Sequence, residues 1–569
     1  MRTQVLGAAV PTLSAIVVAG ALAASVAETG GLHYTLSPVI EGGKLKAIDV
    51  EMALTGESDG ETEIALPDNR GDSREAWRGV TQFRIEGATS VATGGNPVRR
   101  LVRHAPGAPL TVRYRLKQFW AGEPEGVEGR PIIKPGYFHF LGYGALARTK
   151  WSAATPASVS FKGFPKSWRL ASDLEHGPLT QKTVQQSVTV GGDFRILKAS
   201  LLRIALRGVW TFKDDDLLRE IEPIIASHHK FWGDPPSAFL ITMIPIAAKP
   251  NSASAGGTGL GDAFAFYVTP NMKLDRHIKH GLAHEHMHSW IPLRVGEQSP
   301  ANDGLADTWL SEGFTDFYTY RLMARDGLSP IEEMAKALNE IMWTYAWSSA
   351  RNATNATLGA EFWRDEAAHR IPYLRGLLIA AIADDRLRRE SRGTRDLDEV
   401  MLEMRRVADT ADVDAKPPLR ENFLAATKAA GVDFAGMVKQ FVDDAETVLL
   451  PADIWVPCGV VETSEVAEFA RGFRGAQTKA NKNIVVGVDP DGPAYAAGLR
   501  DGMKILNLDL SGERDSRVPL TYRVLVDGKV REISYLPQGK RRERVQELKL
   551  RMLDDAGRKA CAARLGGLE

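Results

Sequence analysis

The residues best placed to do chemistry lie in the stretch His-Glu-His-Met-His at 284–288. It contains the pattern H-E-x-x-H, formed by His284, Glu285 and His288. Residues four apart share one face of a helix, so both imidazoles can reach a single metal ion. Glu285 lies next to His284 and can point at a water molecule on that metal. The spacing therefore indicates a hydrolytic metal centre in which Glu285 is the general base.

A second stretch, Trp-Leu-Ser-Glu-Gly-Phe-Thr-Asp at 309–316, offers the ligand that two histidines leave missing. A catalytic zinc site uses three protein ligands and keeps a fourth position for water. Glu312 is the candidate for the third ligand, on a helix predicted over 305–322. Asp316 follows one turn later, where it is placed to orient a zinc histidine through a hydrogen bond.

Three further histidines, His277, His280 and His286, crowd the first stretch. His280 precedes His284 by four residues, so these two form an alternative ligand pair on one helix face. The simpler interpretation leaves His277 and His280 in solvent and turns His286 towards another face. The sequence leaves both interpretations open.

Together the two stretches resemble the gluzincin metallopeptidases. More narrowly, H-E-x-x-H-S-W followed by W-L-S-E-G-F-T is similar to the bacterial glycyl aminopeptidase family. The resemblance implies Zn²⁺ as the cofactor, peptides as substrates, and removal of small N-terminal residues such as glycine or alanine. A zinc endopeptidase of altered specificity is one alternative. A non-catalytic peptide-binding protein with a relic metal site is another.

The resemblance also implies a donor for the oxyanion that forms at the scissile carbonyl. In the resembled family a tyrosine in the motif Y-x-[KR]-G supplies this donor. The stretch Tyr373-Leu-Arg-Gly376 matches the motif, so Tyr373 is the candidate.

A glycine-rich stretch precedes the histidines and is expected to be a flexible loop ahead of a strand at 263–268. The resembled family binds the substrate's free amino group with a glutamate at the end of such a stretch. Gly261 occupies the aligned position of that glutamate, and Asp262, one residue on, is the possible substitute. If Asp262 does not replace it, endopeptidase action is the nearest alternative. The candidate substrate-binding residues are Gly257, Gly259, Gly261 and Asp262.

Length and composition bound the remaining possibilities. The chain has 569 residues, which is too many for one core and predicts three or so domains. Its 71 Lys and Arg residues balance 71 Asp and Glu residues, without the basic excess usual in nucleic-acid-binding proteins. Cys458 and Cys561 are the only cysteines. We expect free thiols, with a single disulfide as the alternative.

The N-terminus has the pattern of a secretory signal peptide over residues 1–27. Met1-Arg2 is followed by an uncharged, largely apolar run with small residues near Ala27. An uncleaved N-terminal anchor is the alternative. No later segment is long and apolar enough to span a membrane. We therefore expect a secreted or periplasmic protein, without stable membrane insertion once the signal is removed.

The fold class that we expect is a multidomain α+β protein. Short alternating runs over 28–208 predict an N-terminal antiparallel β-sandwich. Helical patterns dominate 209–452, where the resemblance places a mostly helical, thermolysin-like zinc metallopeptidase domain. It places a PDZ-like domain at 453–545, with a C-terminal tail at 546–569.

The PDZ-like region is expected to contain a strand at 484–488, a short helix near 492–497 and a second strand near 503–506. PDZ domains bind extended peptides by strand addition, so a peptide or protein C-terminus is a candidate partner. Met503 departs from the pattern, because such domains commonly carry aspartate there. Gly472–Gly475 is the candidate for the carboxylate-binding loop.

Overall fold

The computed structural model describes residues 31–68, 75–175, 177–235, 239–247, 253–299, 305–412, 415–510 and 515–567. The predicted signal peptide at 1–27 lies outside these residues. Two compact units make up the described chain. The first comprises the described part of Met1–Leu293 together with that of Thr410–Lys416. The second comprises the described part of Arg294–Asp409 and of Pro417–Glu569.

Alternating apolar residues form the strands of the first unit. In Lys44–Thr55, for example, Val50, Met52 and Leu54 are buried while the residues between them are partly exposed. The strands up to residue 192 are β1 (Leu32–Glu41), β2 (Lys44–Thr55), β3 (Glu61–Ala65), β4 (Val80–Glu86), β5 (Ala88–Ala92), β6 (Arg99–His104), β7 (Pro109–Leu116), β8 (Ile132–Lys134), β9 (Tyr137–Leu141), β10 (Arg148–Thr149), β11 (Pro156–Phe161), β12 (Arg169–Ser172), β13 (Leu179–Thr180) and β14 (Val188–Gly192).

These strands form three sheets rather than the two layers of the expected sandwich. Their orders are β13-β11-β1-β2-β7-β4, β10-β3-β6-β5 and β12-β14-β9-β8. Pairing is antiparallel except between β1 and β11, which run parallel. The sheets share one core, in which Val50, Ile64 and Phe138 each come from a different sheet. Two short helices, α1 (Gly142–Ala145) and α2 (Gln181–Gln185), connect strands of this region.

A five-stranded sheet follows and carries the glycine-rich stretch. Its members are β15 (Arg195–Lys198), β16 (Leu202–Leu206), β17 (Phe239–Pro245), β18 (Ala255–Leu260) and β19 (Ala263–Val268). The order is β15-β16-β17-β19-β18, so β18 is an edge strand. Strands β16, β17 and β19 are parallel and almost wholly buried, as expected of continuous apolar runs.

The prediction of a flexible loop at the glycine-rich stretch is wrong, because Ala255–Leu260 is strand β18, paired antiparallel with β19. A Cβ atom on Gly257 would lie 2.0 Å from the ring of Phe264. The backbone of β18 approaches its neighbour so closely that a side chain does not fit. The glycines serve close packing here rather than mobility.

Two longer helices complete the first unit: α3 (Asp214–Trp232) and α4 (Arg276–Met287). Three aspartates open α3, where acidic side chains favour the helix N-terminus. Its apolar residues Leu217, Ile221 and Ile225 are fully buried. The helix continues through Pro223.

Helices dominate the first part of the second unit. They are α5 (Thr308–Ser311), α6 (Gly313–Arg325), α7 (Ile331–Trp347), α8 (Asn355–Glu361), α9 (Glu366–Ser391), α10 (Leu397–Thr410), α11 (Leu419–Ala429) and α12 (Ala435–Val438). Helix α9 crosses α5 and α6 at a glycine contact. A Cβ atom on Gly376 would lie 1.8 Å from the carbonyl oxygen of Trp309, and one on Gly313 would lie 2.3 Å from the Cα of Gly376.

The C-terminal part of the second unit holds strands β20 (Gly459–Phe469), β21 (Lys504–Ile505), β22 (Leu520–Val526), β23 (Lys529–Tyr535) and β24 (Gln538–Leu550), with helices α13 (Gly475–Ala480), α14 (Pro493–Ala496) and α15 (Asp555–Gly566). Strands β20 and β24 pair with each other, and β21, β22 and β23 form a separate sheet. Helix α14 and strand β21 match expected elements. The strand expected at 484–488 is reduced to a single bridge between Ile484 and Lys504.

The expectation of free thiols is wrong, because Cys458 and Cys561 form a disulfide across 103 residues of sequence. The antiparallel pairing of β20 with β24 explains how they meet. Cys458 directly precedes β20, and its carbonyl accepts a hydrogen bond from the N–H of Arg551, just after β24. Helix α15 then brings Cys561 to a Cα–Cα distance of 4.6 Å from Cys458. Among the described helices, none combines the length and apolarity that a membrane span requires.

Candidate metal centre

Helix α4 positions the H-E-x-x-H residues. Asp275 caps its N-terminus, since the carboxylate accepts hydrogen bonds from the N–H groups of His277 and Ile278. Ile278 and Leu282 anchor the helix in the core. The helix ends at Met287, and His288 is its C-terminal cap.

A backbone carbonyl fixes the ring of His288. Its Nδ1 lies 2.7 Å from the carbonyl oxygen of Ile291. A carbonyl only accepts, so Nδ1 carries the proton and Nε2 remains as the nitrogen that can bind a metal. The sequence suggested a carboxylate, Asp316, for this kind of orienting role. The carbonyl of Ile291 was missed, because a backbone group leaves no signal in residue type.

The edge strand β18 runs against the turn of α4 that carries Glu285. A Cβ atom on Gly259 would lie 3.1 Å from the Cβ of His288 and 3.5 Å from Oε2 of Glu285. Gly259 therefore lets the strand approach the proposed general base and one of the proposed ligands. The predicted substrate-binding stretch and the H-E-x-x-H pattern are brought together here.

Glu312 lies at the junction between helices α5 and α6. The apolar residues around it, Trp309, Leu310 and Phe314, are buried and fix the junction in the core. Glu312 itself is half-buried, as is Asp316 one turn later. The N–H of Asp316 donates to the carbonyl of Glu312 at 2.9 Å, which confirms the helical spacing expected of this pair.

The three residues predicted as metal ligands come together. The ligand atoms of His284, His288 and Glu312 all lie within 4.8 Å of one another. No other group of three or more such side chains was found in the described part of the chain, and His280 does not belong to this one. Two imidazole nitrogens and one carboxylate oxygen are a donor set of catalytic zinc sites. These residues therefore fit Zn²⁺.

The opposite side of α4 carries His286, which is 1% exposed. Its Nδ1 lies 2.9 Å from Nδ1 of His228, and the two rings stack with their centroids 5.0 Å apart. The rings of Phe239 and Trp290 contact it edge-on. His286 thus faces away from the ligand group, as the simpler interpretation proposed.

The other two histidines, His277 and His280, differ in their exposure to solvent. His277 is exposed, as expected. His280 is half-buried and its Nε2 is inaccessible to solvent, so the expectation of a solvated side chain is wrong for this residue. The spacing of His280 in the sequence indicates which helix face it lies on, but it does not show which residues pack against that face.

Tyr373 lies on helix α9, which packs against α5 and α6 at the contact between Gly376 and Gly313. Its side chain is half-buried, and its ring centroid lies 5.8 Å from that of His369. The neighbouring Arg375 is buried and donates to two backbone carbonyls at 2.8 Å each. In the Y-x-[KR]-G motif, the arginine and glycine thus have structural contacts, while the tyrosine remains partly accessible.

Gly261 and Asp262 form the turn between β18 and β19. A Cβ atom on Gly261 would meet no other atom within 4 Å, so a side chain fits there. Asp262 is exposed. Burial raises the pKa of Asp173 to about 7, and the negative charge of Asp262 contributes to that rise. Asp262 therefore lies close enough to Asp173 to repel its carboxylate.

Comparison with known proteins identifies the fold. No family model and no curated protein matches the sequence. A crystal structure of an aminopeptidase N family protein from Idiomarina loihiensis matches with a TM-score of 0.64 and 15% identity, over 93% of this chain and 100% of that one. The two chains share one fold. An M1 zinc metallopeptidase from Deinococcus radiodurans matches with a TM-score of 0.46 and 18% identity, over 74% of this chain and 96% of that one.

Proposed function

We propose that this protein is a zinc-dependent metallopeptidase that acts as an aminopeptidase. The observation that carries the proposal is the grouping of the His284, His288 and Glu312 ligand atoms, with Glu285 on the same helix as both histidines. The fold shared with an aminopeptidase N family protein supports it. His284, His288 and Glu312 would hold the metal.

When bound, Zn²⁺ would polarise the scissile carbonyl and lower the pKa of a bound water molecule to about 7. Glu285 takes a proton from the attacking water and passes it to the leaving amine. Tyr373 donates a hydrogen bond to the oxyanion that develops on the carbonyl. Asp316 orients a histidine ligand through a hydrogen bond.

We place the substrate along the edge strand β18. Within the described sheet, β18 pairs with β19 on one side only, so its other edge offers backbone N–H and C=O groups to an extended peptide. Gly259 leaves this strand without a side chain beside the helix that carries Glu285. A peptide bound by strand addition is thereby led past the general base.

For the free amino group we propose Asp262 as the acceptor, and small N-terminal residues such as glycine or alanine as the preferred substrates. Two observations favour the alternative of endopeptidase action. Gly261 stands at the position of the family's glutamate, and the charge of Asp262 already acts on Asp173. If Asp262 does not bind the ammonium, cleavage no longer requires a free N-terminus.

Paired peptides with free and N-acetylated N-termini separate the two activities. The purified protein is incubated with both sets, products are identified by mass spectrometry, and a Glu285→Gln variant measures contaminating peptidases. Stepwise loss of single residues from free N-termini alone supports the aminopeptidase. Internal cleavage in both sets supports the endopeptidase. If no product depends on Glu285, both activities are refuted, and the interpretation as a non-catalytic peptide-binding protein remains.

A variant with glutamate at position 261 makes this experiment more specific. Because the position has room for a side chain, Gly261→Glu should fold normally. We expect it to raise the ratio of the cleavage rates of free and acetylated peptides at least tenfold. Gly261→Ala, which fills the same position without a charge, is the matched control and should leave the ratio unchanged.

We further propose that residues 453–545 bind peptide C-termini in the manner of a PDZ domain. The sheet β21-β22-β23 has a core of its own, built around Phe473, Leu499 and Val524, which supports a separate binding module. Fluorescence anisotropy with peptides that differ only in a free or amidated C-terminus tests this. Equal affinity for both forms would refute carboxylate recognition.

We propose that the protein acts in the periplasm or outside the cell. The disulfide between Cys458 and Cys561 supports this location, because disulfides persist in oxidising compartments. A non-reducing gel of periplasmic and cytoplasmic fractions should show the oxidised chain in the former. Its recovery only from the cytoplasm would refute the proposal.

A further inference from the structure

A cavity lies in the first unit, between the edge of the sheet β10-β3-β6-β5 and the short helices α1 and α2. Its volume is about 880 Å³, which is within the range of small-molecule sites. The polar and charged residues on its wall include Glu63, Asp68, Arg99, Arg148, Lys150 and Lys182. None of them belongs to the candidate metal centre.

The floor of this cavity is held by buried hydrogen bonds. Gln181 is 5% exposed, and its Oε1 accepts from both the N–H and the hydroxyl of Thr149, at 2.8 and 3.0 Å. Its Nε2 donates to the carbonyl of Trp151. The indole of Trp151 is fixed in turn by a 2.9 Å hydrogen bond to Glu57. These hydrogen bonds hold Gln181 and Trp151 in place on the wall of the cavity.

Positive charge exceeds negative charge on the wall. The carboxylate of Glu63 pairs with two cations, Arg99 and Lys150, the second at 2.7 Å. Arg148 and Lys182 form no ion pair with the carboxylates that the structure describes. The whole chain has equal numbers of basic and acidic residues, so the local excess does not follow from composition.

We propose that this cavity binds a small dianion through Arg148 and Lys182. The two cations come from different elements, Arg148 from strand β10 and Lys182 from helix α2, so together they can hold two acidic groups or one doubly charged group. Trp151 and Tyr143 add aromatic surface for a short carbon skeleton. The ligand class is a dicarboxylate or a phosphate.

Titration calorimetry of the full-length protein tests the proposal with two probes, succinate and inorganic phosphate. Ionic strength is held constant with sodium chloride, and uncharged succinamide serves as the probe control. We expect saturable binding of at least one anion and none of succinamide. The probe that binds identifies the acidic group, a carboxylate or a phosphate.

The double variant R148Q/K182Q should weaken this binding at least tenfold. Both side chains lack ion-pair partners among the described residues, so their loss should leave the fold intact. The matched control is K166Q/R169Q, which removes two exposed cations of the same unit outside the cavity. No saturable binding of either anion, or an equal loss in the control, overturns the proposal. Peptidase activity is measured in parallel and should not change, which separates this site from the metal centre.

Discussion

The two faces of helix α4 carry the same residue type in different surroundings. On one face, His284 and His288 are grouped with Glu312, and the ring of His288 is oriented by the carbonyl of Ile291. On the other, His286 is packed among His228 and the rings of Phe239 and Trp290.

The difference teaches that a histidine's role depends on what packs against it. Glu312 adds a carboxylate to the group formed by His284 and His288, which is the composition of a metal site. The rings of Phe239 and Trp290 make dispersion contacts with His286, and its Nδ1 contacts Nδ1 of His228. These are the surroundings of a side chain in a packed core. Substitutions on the first face should therefore change activity, and substitutions on the second should change stability.

The largest effect should follow from Glu285→Gln on the metal face. The amide cannot accept the proton of the attacking water, and loss of a general base lowers turnover by about 10²–10⁴-fold. We expect kcat to fall at least 100-fold while the melting temperature stays unchanged. Retention of full kcat would contradict the role of Glu285.

His286→Ala should lower the stability and leave kcat nearly unchanged. It leaves a cavity among aromatic rings, so the free energy of unfolding should fall by about 2–4 kcal/mol. Chemical denaturation measures the loss, and kcat of the folded protein at low temperature should change less than threefold. His277→Ala, an exposed position on the same helix, is the control and should change stability by less than about 0.5 kcal/mol. If His286→Ala lowered kcat without changing the stability, the two faces of α4 would not differ in the way proposed here.

Gly259→Ala tests the contact between the edge strand and the metal face. The added methyl would lie 3.1 Å from the Cβ of His288, so the strand must move by a few tenths of an ångström. We expect kcat/KM to fall about tenfold, equivalent to about 1.4 kcal/mol. Gly261→Ala has no atom within 4 Å of its new methyl and should be neutral. Equal effects of the two variants would show that the close approach is unimportant.

The smallest effect concerns Asp262 and the buried Asp173. Burial raises the pKa of Asp173 to about 7 from its ordinary 3.8, so the folded state binds this proton more tightly than the unfolded chain does. Its contribution to the free energy of unfolding is full below about pH 4 and is lost as the pH rises through 7. Asp262→Asn removes a repelling charge and should lower the pH midpoint of that loss by less than about one unit. This shift corresponds to less than about 1.4 kcal/mol of interaction free energy between the two side chains.

Urea denaturation between pH 4 and pH 8 measures this shift. Asp173→Asn should abolish the pH-dependent loss, which identifies the titrating group. An unchanged midpoint in Asp262→Asn would show that its charge does not act on Asp173, and would favour its proposed role as the acceptor of the substrate's amino group.

The sequence predicted the parts of the site that depend on residue type and local spacing. The spacing of H-E-x-x-H placed two candidate ligands on one helix face, and the motif around Glu312 offered the candidate for the third on a predicted helix. The fold class of α+β with several sheets was also accessible, because strand and helix periods differ along the chain.

Features set by tertiary packing were not accessible. The glycines of β18 were interpreted as a loop because glycine is a turn signal, whereas close packing on Phe264 requires them in a strand. Cys458 and Cys561 are too far apart in sequence to suggest a pair, and only the pairing of β20 with β24 brings them together. The orienting carbonyl of Ile291 has no counterpart in side-chain chemistry.

The most direct test is the zinc content of the purified protein, measured by inductively coupled plasma mass spectrometry after dialysis against a weak chelator. We predict one zinc ion per chain in the wild type, retention in His277→Ala and His286→Ala, and loss in His284→Ala and Glu312→Ala. Zinc retained in Glu312→Ala with wild-type affinity, or lost in His286→Ala, would contradict the assignment of the metal centre.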